Sequence, residues 1–296
     1  MDIGQPTLDQ LRIFLAVADE GSFNRAARKL GRALSAVSYG MAALEAQLGV
    51  KLFDREGSRR PRPTEAGRAL LADARAVADD IDRVVARARG IRQGLETRAA
   101  LAVDVMVPGS TVAKLLRDFQ AVFPTVDLRL HVEALGAVAA LVLDRRADLA
   151  VAGPDIVDLP ELQRRALGSV ELVPVAAPSH PLARLARIDP GETRQHLQLV
   201  LTDRSPLTEG REFSVLSPRS WRLADLGAKH ALLLEGIGWG NMPRHAVADD
   251  LAAGRLVALS LPEAPVVEYR LHALWRKDSL PGPATSWMLD TLIERC

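Results

Sequence analysis

The chain has 296 residues, 48% of them hydrophobic and 25% charged, with 38 Lys and Arg against 37 Asp and Glu. This is the make-up of a soluble globular protein with room for a small domain and one or two larger ones. It excludes an internal disulfide framework, because Cys296 is the single cysteine, and no run of about eighteen apolar residues reads as a membrane span. The opening Met1-Asp2-Ile3-Gly4 lacks a basic region followed by an apolar core, so no secretory signal is expected and a cytoplasmic location is. The near-neutral total hides a division. The first 94 residues hold 16 Lys and Arg against 12 Asp and Glu, the remainder 22 against 25, and residues 21–68 alone hold 10 against 4. A local excess of this kind predicts a polyanionic partner and binding that weakens with salt.

Leu8, Leu11, Phe14, Leu15 and Ala18 make the apolar stripe of a first helix that stops at Gly21 and braces the next two. Ser22 can cap a short second helix with Asn24, Arg25 and Arg28 outward and the small pair Ala26 and Ala27 inward, and Gly31 ends it. The next helix is predicted over residues 34–48, since Val37, Met41, Leu44 and Leu48 fall on one face. Its other face carries Ser35, Ser38, Tyr39 and Gly40, short or flat groups that allow close approach to base edges in a major groove. Beyond Gly49, residues 50–53 followed by Arg55, Arg59, Arg60 and Arg62 read as a hairpin wing whose guanidinium groups sit on phosphates. Each piece alone is a common surface feature; in this order and spacing they make a winged helix-turn-helix and point to duplex DNA.

Pro63, Thr64 and Glu65 signal the start of a long helix. Within it Leu70, Ala74, Val77, Ile81, Val84, Ala88, Ile91 and Leu95 recur at alternating spacings of four and three, a heptad seam. About thirty residues make a rod of roughly 45 Å, too long for one small domain to cover, so pairing with a second copy is expected.

A polar hinge over residues 94–98 leads into alternating strands and helices. Strands are predicted at 101–107, 126–132 and 148–153 with helices at 110–123 and 135–145 between them, an order that implies a parallel-type sheet. A second series places strands at 170–177, 197–201, 221–223, 231–234 and 256–261, with a helix at 243–253; a strand at 269–275 and a helix at 284–295 close the chain. Ligands of open α/β sheets bind beyond the carboxyl ends of strands. Three loops fit: Pro108-Gly109-Ser110-Thr111, Thr202-Asp203-Arg204-Ser205, and the glycine-rich 236–240 with Gly238 and with Trp239 as a flat wall; Gly153 ends the third strand beside them. The hydroxyls of Ser110 and Thr202 could equally cap helices, and Trp239 could equally pack in a core. The histidines His131, His180, His196, His230, His245 and His272 show no metal-ligand spacing, and no nucleophile-elbow, zinc-protease or phosphate-loop motif is present. No catalysis, metal or cofactor is expected.

The residues Phe14, Ser22, Phe23, Ala26, Ala27, Leu30, Ser35, Val37, Ser38, Leu44, Glu45, Leu48, Gly49, Leu52, Phe53, Arg55, Thr64, Ala66 and Gly67 resemble the N-terminal domain of LysR-type transcriptional regulators. The match runs without gaps over residues 8–67. It implies a DNA-binding domain at 1–63, a dimerising linker helix at 64–94 and an effector-binding domain at 95–296. That domain would have two Rossmann-like lobes of the type II periplasmic-binding-protein kind, lobe I at about 98–165 and 262–296 and lobe II at about 166–261. Its local matches are the runs at 177–182 and 236–257. Family members often carry a polar group where this chain has Ala33 and Leu34, so base readout is expected from Arg32, Ser35, Ser38 and Tyr39, with Leu34 against a thymine methyl. The resemblance further implies that the three loops line an interlobe cleft for a small effector; their hydroxyls and Trp239 permit a carboxylate or an aromatic without selecting one. It also implies promoter DNA as partner, dimers joined into tetramers, and contact with RNA polymerase. Two other classes remain open on the residues alone: a solute-binding protein with an added helical segment, and an enzyme on the α/β lobes.

Overall fold

The computed structural model describes residues 5–54, 61–154, 159–203, 205–211, 213–263 and 267–295. The chain divides into two units, Met1–Arg89 and Gly90–Cys296.

In the first unit, helix α1 (Leu8–Glu20) opens on a capping box, in which the Thr7 hydroxyl accepts from the Gln10 N–H at 3.3 Å and the Gln10 side chain accepts from the Thr7 N–H at 2.8 Å. Helix α2 (Phe23–Leu30) is capped by Ser22, and Gly31 ends it at φ 64°, a conformation only glycine takes at little cost. Helix α3 (Leu34–Leu48) crosses both. The small Ala26 and Ala27 let the helices approach, and Phe14, Val17, Val37, Met41 and Leu44 fill the space between them. A short hairpin of β1 (Phe53–Asp54) and β2 (Arg62–Pro63) forms the wing, and Phe53 meets Phe14 edge-on with ring centres 5.6 Å apart. Arg55, Arg59 and Arg60 lie outside the described residues.

The C-terminal half of α3 is joined to the wing by one buried carboxylate. Glu45 Oε1 accepts from the backbone N–H of Leu52 at 2.8 Å and of Phe53 at 3.3 Å, and Lys51 Nζ stands 3.2 Å from Oε2. Helix α4 (Glu65–Arg92) then starts under Thr64, whose hydroxyl accepts from the Gly67 N–H at 3.0 Å. Leu70 and Ala74 of the expected seam turn into the first unit's own core, and Ala78 is buried with them. Val77, Ile81, Val84, Ala88 and Ile91 are exposed. The seam therefore serves two surfaces, with its first turns packed on α1 and only the remainder bare. Ion pairs Arg75–Asp19 at 2.7 Å and Arg12–Asp82 at 2.8 Å run between α4 and α1.

The second unit follows the order β3 (Arg98–Asp104), α5 (Gly109–Val122), β4 (Asp127–Glu133), α6 (Gly136–Leu143), β5 (Leu149–Ala152), β6 (Leu162–Ala176), α7 (Pro181–Arg184), β7 (Gln198–Leu201), β8 (Ser220–Leu223), α8 (Leu226–Leu234), β9 (Trp239–Pro243), α9 (Arg244–Ala252), β10 (Val257–Ala258), β11 (Val267–Arg276) and α10 (Pro283–Arg295). The strands form one sheet in the order β4-β3-β5-β11-β6-β9-β7-β8, with β10 on β6. Parallel pairs occur at both ends, β3 with β4 and β5, and β7 with β8 and β9. Between them β6 and β11 run antiparallel, from Leu162 opposite Arg276 to Leu172 opposite Val267. The sheet is mixed where a parallel one was expected. Two further expectations change: residues 231–234 belong to α8, and the glycine-rich loop continues into strand β9. The polar hinge is fastened at its far end, since Glu96 accepts from the first N–H groups of α10, those of Ala284 at 3.0 Å and Thr285 at 3.1 Å.

Removing the buried carboxylate of Glu45 strands two backbone donors. Glu45→Ala is expected to lower the stability of the first unit by about 2 kcal/mol, and Glu45→Gln, which keeps an acceptor, by less. Thermal melts of the full chain followed by circular dichroism measure both; equal losses would show that the acceptor is not what matters.

Candidate functional site

On α3 the groups expected to reach base edges present a varied surface. Tyr39 is 78% exposed and Leu34 43%; Ser35 is exposed and Ser38 half-buried. Ala33 offers no side chain to cap the helix start. Gly40 departs from expectation. A Cβ there would stand 2.6 Å from Ile13 Cδ1, so Gly40 belongs to the face pressed on α1. Asn24 is exposed on α2, while the Ser22 hydroxyl accepts from the Arg25 N–H at 3.4 Å. Two of the expected arginines have partners within the unit. Arg25 donates to the Glu20 carbonyl, and Arg32 grips Asp9 through two bonds of 2.5 and 2.6 Å, holding the Asp9 carboxyl below its ordinary range. Arg62 is exposed, and with Lys51 and Arg68 it lines a groove beside the wing.

In the second unit a cavity of about 330 Å³ opens where the two parallel groups meet the central antiparallel pair. Met106, Leu135 and Pro154 line it from one side, Gln198 to Leu201, Phe213, Ser214, Lys229 and Asn241 from the other, and Leu172, Val267, Glu268 and Tyr269 from the crossing strands. The loops named from sequence lie next to these positions in the chain, but none of the described residues proposed there is among the lining. Gly109 and Ser110 are exposed at the start of α5, with Pro108 and Thr111 half-buried beside them. Thr202 donates through its backbone to the Leu223 carbonyl at 2.8 Å. Asp203 accepts from the Ala137 N–H at 2.7 Å and from the Thr208 hydroxyl, so it caps α6 across the cleft. Arg204 lies outside the described residues. Gly238 packs on the Leu197 carbonyl, and Trp239 is fully buried among Ala176, Leu182, Ile188, Leu259 and Leu261. The flat wall expected of Trp239 is thus a core residue, because β9 carries it into the sheet.

Gly153 is outside the lining as well, but packs on a residue that belongs to it, Tyr269. A Cβ there would collide with the Tyr269 hydroxyl, which donates to Asp104 Oδ2 at 2.8 Å while the Met106 N–H donates to Oδ1 at 2.9 Å. Burial pushes the Asp104 carboxyl up to about 6 against the pull of those donors. Lys229 is likewise buried, and desolvation pushes its ammonium down to about 8. Sequence reasoning missed both groups. The available signal was a lone charge inside an apolar pattern: Asp104 within residues 101–107, and Lys229 on the inward stripe of Leu226 and Leu233. Among the described residues no group of His, Cys, Asp or Glu could hold a metal, and no helix is long and apolar enough to cross a membrane.

Residues 8–68 match the model of bacterial regulatory helix-turn-helix proteins of the lysR family, and residues 92–296 match that of the LysR substrate binding domain. The chain belongs to the LysR family. It is 32% identical to the probable HTH-type transcriptional regulator YhaJ of Escherichia coli K12 over 96% of this chain and 94% of that one. It is 27% identical to the regulator AceR of Acinetobacter baumannii over 98% and 96%. Among solved structures, CrgA of Neisseria meningitidis superposes with a TM-score of 0.52 at 22% identity, covering 97% of both chains. LysG of Corynebacterium glutamicum gives 0.51 at 22% identity with the same coverage; these likenesses bear on the fold. As a LysR-type protein the chain is a DNA-binding transcription regulator with a C-terminal effector-binding domain, and its family is one of regulators rather than enzymes.

Because Asp104 titrates at about 6 in the folded state against its ordinary 3.8, the folded protein holds a proton in that window that the unfolded chain releases. Stability should fall as pH rises from about 4 to about 6 and level off above it. Wild type is expected to lose about 3 kcal/mol relative to Asp104→Asn across that window. Urea unfolding of the two proteins at several pH values measures it, and a constant difference between them would remove the assignment.

Proposed function

We propose that two copies of this LysR-type chain pair along α4 and present two headpieces to the half-sites of a near-palindromic operator. The observation that carries this reading is the bare stripe on α4. Val77, Ile81, Val84 and Ile91 are 44, 37, 63 and 53% exposed, with the exposed Ala88 in the same seam. Apolar side chains at heptad spacing along a charged helix are stabilised by a second helix. Leu70 and Ala74 do not contribute, since they already face their own core. In the headpiece, Leu34, Ser35, Ser38 and Tyr39 read base edges. Arg62, together with Arg55, Arg59 and Arg60, holds phosphates, and Asn24 and Ser22 sit beside the backbone. Arg32 and Arg25 position α3 and α2 through the bonds described above, and reach DNA with the N–H donors those bonds leave over.

The effector is a small carboxylate or aromatic held in the cavity between the lobes. Its binding biases how the headpieces sit on DNA to the extent that it prefers one arrangement. The LysG structure is described with bound effector Arg, which supports a small-molecule ligand for this domain architecture. Dimers join into tetramers through the effector domains, work in the cytoplasm and meet RNA polymerase at the promoter.

Ile81→Asp is expected to halve the mass of the smallest stable species in sedimentation; an unchanged mass removes α4 as the pairing surface. On genomic fragments selected by the purified protein, Arg62→Ala should weaken binding to all sequences alike and lower the salt slope by about one. Ser38→Ala should instead change the ranking of fragments by roughly 1 kcal/mol or more per altered contact. Identical behaviour of the two variants in gel-shift titrations would undo the division between phosphate and base contacts.

A further inference from the structure

Lys229 is an unusual occupant of the cavity. It sits on α8 at 2% exposure, among side chains that are mostly aliphatic, and its Nζ donates to the Asn241 carbonyl at 2.7 Å. An ammonium has three N–H donors, and this one meets no other acceptor among the described residues. No described carboxylate lies within ion-pair distance of it. Asp104 is occupied by Met106 and Tyr269, Asp203 by Ala137 and Thr208, and Glu268, the one carboxylate among the described lining residues, is exposed. A buried charge without a counter-charge costs several kcal/mol in general, so a chain that keeps one has it available for something.

The strand opposite makes room for this lysine. A Cβ at position 240 would stand 3.0 Å from Lys229 Cε and 2.5 Å from the Leu199 carbonyl oxygen, so the lysine stem lies across Gly240. The placement is built by two elements, α8 and β9, and the ammonium ends at a cavity whose other walls include Leu172, Leu199, Leu201 and Phe213. At about 330 Å³ the space is at the small end of ligand sites. With its titration near 8, the group is charged at neutral pH.

We propose that the effector of this protein is a small monocarboxylate with an apolar body, its carboxylate paired with Lys229 Nζ and its hydrocarbon part against the aliphatic and aromatic walls. This rests on the reading of the cavity as the effector site and adds the charge and size of the ligand. Ligand carboxylate and lysine ammonium neutralise each other away from water, where the pair is strong only if both partners are held. A neutral amide of the same shape leaves the ammonium uncompensated.

The test is calorimetric titration of the full-length protein with benzoate, cyclohexanecarboxylate and 4-methylpentanoate, each beside its amide. At least one acid is expected to bind tenfold or more tightly than its amide, and Lys229→Met should reduce that acid's affinity tenfold or more while changing the amide's less than threefold. The acid-to-amide ratio in wild type decides even where the variant does not fold. Equal binding of acid and amide, an acid indifferent to Lys229→Met, or no acid bound by wild type each overturns the proposal. Val267→Trp, at an exposed lining position, separates this from the underlying reading. Neutral ligands that bind wild type and are lost in Val267→Trp leave the cavity as the effector site and remove only the carboxylate. A ligand that alters promoter affinity and still binds Val267→Trp removes the cavity itself.

Discussion

The antiparallel pair of β6 and β11 is the constraint on which the regulatory unit depends. Each strand is long enough to pass from one parallel group to the other, and their register runs from Leu162 opposite Arg276 to Leu172 opposite Val267 with one irregularity between Arg270 and His272. Because both parallel groups hang on this pair, the cavity forms at the two places where it gives way to parallel strands. Tyr269 and Leu172, on the pair itself, contribute to its floor. Ten of the fifteen residues lining the cavity stand on strands or on α8, with Met106, Leu135, Pro154, Phe213 and Ser214 from the turns and loops between them.

The buried Asp104 and Lys229 and the half-buried Asp203 beside the cavity differ in how far they are satisfied. Asp104 takes a hydroxyl and an amide; Asp203 takes the start of α6 and a threonine. These bonds hold the lobes' edges in place, and their burial costs are offset by donors from both sides. Lys229 has a single carbonyl. The contrast separates groups whose work is structural from one whose partner is expected from outside the chain.

The headpiece was legible in the sequence almost residue by residue, because its signals are local. Ser22, Gly31 and Gly49 mark helix ends by capping and left-handed geometry, and the spacing of Val37, Met41 and Leu44 fixes which side of α3 is buried. Gly40 was misplaced for a physical reason: absence of a side chain marks equally a face open to a ligand and a face pressed on a neighbour, and here Ile13 fills the space. In the regulatory unit residues 231–234 are too short an apolar run to separate a strand from a helix turn. Gly240 looked like part of a loop although it serves close packing in β9 against the Leu199 carbonyl, while Gly238, just before that strand, packs on the Leu197 carbonyl. The three loops proposed from sequence came from a rule about strand ends, which brought the reading within a few residues of the cavity-lining Met106, Pro154 and Leu201 but not onto them. Lys229 and Tyr269 came from elements with no such rule, and only the fold places them together.

Gly153 and Tyr269 form a single design unit with an evolutionary corollary. The phenol occupies the volume that a methyl group on residue 153 would need, and its oxygen at that spot is what Asp104 accepts from. A descendant that gains alanine at 153 must shorten residue 269 at the same step, and Asp104 then loses its donor in the cavity floor. Positions 153 and 269 are coupled by volume and 269 and 104 by a hydrogen bond, so a side chain at 153 in a relative signals a displaced or shortened residue 269.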